Sequence, residues 1–92
     1  MTKAHEIAKY IVETGTKETT TGNYIFEFDE INQKFGADIP EDIDLYHDII
    51  DTLFDDYADI VCETDAPIKG GVFDIIFYLE HCPNADDNDE SY

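Results

Sequence analysis

The side chains best able to do chemistry in this sequence are carboxylates, and they are concentrated. Between Lys34 and Lys69 stand Asp38, Glu41, Asp42, Asp44, Asp48, Asp51, Asp55, Asp56, Asp59, Glu63 and Asp65, with no Lys or Arg among them. Glu41, Asp44, Asp48, Asp51, Asp55 and Asp59 are spaced 3, 4, 3, 4 and 4, which places them along one side of a helix. Asp42, Asp56 and Glu63 would thicken that stripe into a second row. Carboxylates so arranged could converge on a cation, act as an acid–base pair, or present repeated negative charge to a partner.

The first two uses fit the spacing poorly. A Ca²⁺ ion needs several oxygens meeting at one point, whereas a helical stripe spreads them out. The run Asp86-Asp87-Asn88-Asp89-Glu90 lacks the glycine and the spacing of a Ca²⁺-binding loop. His5, His47 and His81 are far apart, and no HxxxH or CxxC occurs. Catalysis by paired carboxylates needs a cleft, for which so short a chain has little room. The lone serine is Ser91, which argues against a serine nucleophile and against an acyl carrier with its phosphopantetheine arm. Cys62 and Cys82 read as isolated thiols of a reducing compartment. The chain is therefore expected to be non-catalytic, with no cofactor and no metal.

No Lys or Arg stands three or four residues from any acid of the stripe. Each like-charge neighbour costs a few tenths of a kcal/mol. A solvated helix face ordinarily mixes signs and avoids that cost, so a one-sign stripe reads as a binding surface. Partners follow from the same arithmetic. Of 92 residues, 23 are Asp or Glu and 5 are Lys or Arg, giving a formal net charge of −18. Direct binding to nucleic acid or to an anionic membrane needs a basic surface, and this chain has no Arg and only 5 Lys. Salt-tolerant (halophilic) acidity is a further possibility. The hydrophobic share of 42% and the aromatic share of 13% exceed what a solvated acidic tail carries, so a folded domain is expected.

The elements that must hold the stripe follow from periodicity. Thr2 caps an amphipathic helix over 3–14 that Gly15 ends. A polar loop spans Thr16–Asn23. Tyr24, Phe26 and Phe28 alternate as a strand, and Asp29 caps a short helix over Glu30–Phe35 that Gly36 ends. Pro40 suits the first turn of the next helix, which runs from Glu41 to about Tyr57 with Ile43, Tyr46, Ile50, Leu53 and Tyr57 inward. Strands at Ile60–Thr64 and Val72–Leu79 flank a turn at Ala66–Gly71. Residues 1–82 then form a single α+β domain and 83–92 a disordered acidic tail. Val72–Leu79 is apolar on both sides, so it is either central and covered or buried by a partner, including a homodimer. No apolar run of membrane-span or signal-peptide type is present, and a cytoplasmic location is expected.

The order helix-strand-helix-helix-strand-loop-strand resembles the winged-helix arrangement over about residues 3–80. Phe26–Gly36 would supply the strand and second helix, 41–57 the third helix, and 60–79 the wing hairpin. The stripe would then lie on the helix that in such domains enters a DNA groove. In size, charge and lack of arginine the chain resembles, as a class, the small DNA-mimic inhibitors of phages and mobile elements, of anti-CRISPR or anti-restriction type. That resemblance implies a basic nucleic-acid-binding partner, such as a CRISPR effector or restriction nuclease, blocked in the host cytoplasm by imitation of nucleic-acid charge. The alternative is an acidic interaction module or regulatory subunit that docks on a basic surface without such mimicry. One stripe is sparser than a duplex: carboxylates recur every ~5 Å of helix axis, against a phosphate every ~3.4 Å along one strand.

Overall fold

A computed structural model describes residues 2–85 of the chain as three helices and a three-stranded antiparallel sheet. Helix α1 (Lys3–Glu18) is capped by the Thr2 hydroxyl, which accepts from the His5 N–H at 3.2 Å. Ala4, Ile7, Ala8, Ile11, Val12 and Gly15 form its buried stripe. The helix does not stop at Gly15. A Cβ there would fall 2.4 Å from the Phe77 ring, so this glycine lets a β3 aromatic approach the helix and has no role as a terminator. Termination falls to Thr19, which is 1% exposed. Its hydroxyl donates to the Asn23 carbonyl at 2.7 Å and accepts from the Gly22 N–H at 2.9 Å. Those bonds offer the backbone an alternative to another helical turn.

Strand β1 (Asn23–Glu27) gives way directly to α2 (Phe28–Phe35). Phe28 therefore opens the helix and is not the last strand residue. Its N–H donates to the Gly71 carbonyl at 2.9 Å, and its ring packs edge-on to Tyr46 and Phe73. Gly36 closes α2 at φ 65°, a left-handed conformation in which glycine carries no Cβ penalty.

The segment 37–42 is a turn with a cis Ile39–Pro40 bond. The Asn32 side chain grips it at two points, donating to the Ile39 carbonyl at 3.0 Å and accepting from the Ile39 N–H at 2.8 Å. Pro40 belongs to this turn, so α3 (Ile43–Asp56) begins later than the expected Glu41. Asp42 is its N-cap, accepting from the Leu45 N–H at 3.2 Å. The buried seam of α3 is Tyr46, Ile49, Thr52 and Leu53. The expected seam through Ile43 and Ile50 is thus rotated: Ile43 is exposed and Ile50 is half-buried. Thr52 can enter the core because its hydroxyl donates to the Asp48 carbonyl at 2.7 Å.

Strands β2 (Val61–Asp65) and β3 (Val72–Phe77) are joined by a loop containing a 3-10 turn at Ile68–Gly70. The sheet order is β1-β3-β2, so β3 is central. Phe26, Val61, Phe73, Ile75 and Phe77 are buried beneath the helices. The opposite face is open and carries Ile25, Glu27, Glu63, Asp65, Asp74 and Ile76. Asp74 lies directly across from Asp65 and receives a hydrogen bond from the Asn23 amide. The helix-facing side of β3 is covered; Ile76 on its other side is exposed, as is Tyr78 just past the strand, which ends at Phe77 and not at the expected Leu79. Residues 83–85 lie against α1, where the Asn84 amide donates to the Lys17 carbonyl at 2.6 Å. The rest of the expected tail, 86–92, lies outside the described residues.

Candidate acidic interface

Helix α3 packs against α1 on one flank and against β2 on the other, leaving its outer surface free. Asp44, Asp48, Asp51 and Asp55 are all exposed there. They form a lane about 16 Å long, from eleven residues at ~1.5 Å each. Asp56 adjoins the lane at its C-terminal end, where its Oδ2 lies 3.3 Å from His5 Nε2. Among the described residues the ion pairs are that contact and His81–Glu80; no lysine pairs with a carboxylate. Asp48, Asp51, Asp55 and Asp56 also line a shallow groove of about 310 Å³ with Thr2, Ala4 and His5.

The remaining expected residues are dispersed. Asp42 is turned onto the α3 N-terminus as its cap, which the helix dipole favours. Asp59 is exposed in the turn between α3 and β2. Glu63 lies on the open face of the sheet, across from Ile76, on the side away from the helices. Glu41 precedes the helix and lines a different cleft of about 470 Å³, together with Glu27, Asp29 and Asp38. The structure thus joins Asp44, Asp48, Asp51, Asp55 and Asp56, and places Glu41 and Glu63 elsewhere; Asp59 follows the lane in the turn after α3.

Two features escape a count of acids. The cleft beside α2 unites Glu27 and Asp29 with Asp38 and Glu41, which are distant in sequence. The outer surface of α3 also carries a second lane. Ile43 and Phe54 are 41% and 50% exposed, and exposed His47 and half-buried Ile50 stand between them. The 4, 3, 4 spacing of these four residues is a signal in the sequence, but apolar Ile43 and Ile50 also fit the expected core seam.

The lysines occupy other parts of the molecule. Lys3, Lys9 and Lys17 are on α1, Lys34 is on α2 and Lys69 is in the 3-10 turn. Lys34 Nζ sits 5.1 Å from the Tyr10 ring centroid, and Lys3 Nζ donates to the Gly36 carbonyl at 3.3 Å. Just beyond α3, the Tyr57 hydroxyl is pushed above its usual pKa by burial and by the charges of Asp56 and Glu13. Burial likewise raises the Cys82 thiol. Among the described residues no three His, Cys, Asp or Glu side chains come together as a metal-binding group, and no helix is long and apolar enough to cross a membrane. No protein-family model, curated protein or solved structure matches the chain.

Proposed function

We propose that this protein is a non-catalytic inhibitor that binds a basic nucleic-acid-binding protein, such as a CRISPR effector nuclease or restriction enzyme, by imitating nucleic-acid charge. The observation that carries this reading is the lane Asp44, Asp48, Asp51 and Asp55, exposed along α3 with no lysine paired to it among the described residues. A helix that keeps four like charges in register gives up stability and gains long-range attraction to a basic cleft. A winged-helix-like reading is supported by the order of elements and by the β2–β3 hairpin following α3. It would put the lane on the helix that otherwise meets DNA.

A second reading, an acidic docking module without mimicry, is favoured by Ile43 and Phe54, exposed apolar side chains that charge imitation alone does not require. The experiment is DNA cleavage by a set of CRISPR effectors and restriction enzymes, with and without the protein. Mimicry is expected to stop cleavage by at least one of them, with inhibition that fades steeply as salt rises and that excess nucleic acid relieves. Inhibition insensitive to both would support the docking module instead.

A further inference from the structure

We infer that α3 is recognised as a whole helix by a groove on a basic protein, a groove whose floor is apolar and whose rim carries Lys or Arg. This rests on the reading of α3 as the binding face, and it adds what kind of surface receives it. Each residue of the apolar lane is followed in sequence by one of the acidic lane: Ile43–Asp44, His47–Asp48, Ile50–Asp51 and Phe54–Asp55. The two lanes therefore run parallel, about 100° apart around the helix. Phe54, half exposed near the C-terminal end, is the natural anchor, because buried aromatic side chains dominate helix-in-groove contacts. Charge decides the occupant. A second copy would bring one −18 chain against another, and nucleic acids and anionic lipids are repelled for the same reason. A basic protein with an apolar groove satisfies both lanes at once.

The test uses two fluorescent peptides of equal positive charge, an amphipathic Lys/Leu helix and an oligolysine, titrated with the 92-residue protein. The Lys/Leu peptide is expected to bind at least tenfold tighter at matched salt. The variant Ile43→Ala, Phe54→Ala is expected to lose that margin while keeping its oligolysine affinity; Phe54→Leu is expected to retain most of it. Both side chains sit on the surface, so an unchanged melting temperature should accompany the loss. Equal affinity for the two peptides would overturn the inference. So would a margin that survives in the double variant, or amide shift changes centred on the open sheet face around Ile25 and Ile76. The underlying acidic reading fails by a separate result: oligolysine affinity unchanged when Asp44, Asp48, Asp51 and Asp55 become Asn.

Discussion

At the scale of single residues, a few side chains do work that their type does not announce. Gly15 sits under the Phe77 ring, and Thr19 and Thr52 enter the core with their hydroxyls bonded. Gly15→Ala should therefore destabilise the fold by about 2 kcal/mol, because overpacking a filled core outweighs the ~1 kcal/mol gain in helix propensity. Urea denaturation would measure it, and a more stable variant would show that Phe77 can move aside. The two thiols should also separate. Cys62 is exposed, whereas Cys82 is buried, donates to the Tyr78 carbonyl at 3.5 Å and titrates above its usual range. A thiol reagent should modify Cys62 rapidly and Cys82 only as the protein opens; equal rates would contradict that burial.

At the scale of elements, strongly periodic segments were legible and their ends were not. The stripe Ala4, Ile7, Ala8 and Ile11 identified α1, but hydropathy cannot tell a glycine that ends a helix from one that admits a neighbouring ring. The α3 periodicity is clear in the sequence but its phase is not: apolar Ile43 and Ile50 read as inward, whereas polar Thr52 takes an inward position with its hydroxyl bonded to the Asp48 carbonyl. The acidic lane survived that rotation because Asp44, Asp48, Asp51 and Asp55 stay outside in either phase. The N-terminal end of the stripe and part of the second row did not, because Glu41 is placed by the 37–42 turn, Asp42 by the helix cap and Glu63 by the sheet, which no helical spacing encodes; Asp56 stays beside the lane. The lane should carry a measurable cost. Asp48→Asn with Asp51→Asn removes the like-charge neighbours 44–48, 48–51 and 51–55, so stability should rise by about 1 kcal/mol at low salt. The gain should shrink as salt screens the exposed charges. A loss of stability would mean that these carboxylates hold the fold together.

At the scale of the whole molecule, carboxylates recur on several exposed regions: the α3 lane, the cleft beside α2, and the open sheet face with Glu63, Asp65 and Asp74. The lysines cluster on α1 and α2, apart from Lys69. Folding therefore proceeds against self-repulsion, and the melting temperature should climb as sodium chloride is added, most steeply below ~0.2 M, where the Debye length shortens fastest. A melting temperature independent of salt would imply that the charges are already well separated. The proposed partner follows from charge; the fold adds that Ile43 and Phe54 border the lane and are exposed. The decisive measurement is displacement of a labelled DNA duplex from a CRISPR effector or restriction nuclease by the protein, as the proposed mimicry requires. The wild-type protein should release the duplex competitively, with an affinity that falls steeply with salt, and the variant with Asp44, Asp48, Asp51 and Asp55 replaced by Asn should not. A stable complex holding nuclease, duplex and this protein together would contradict charge mimicry.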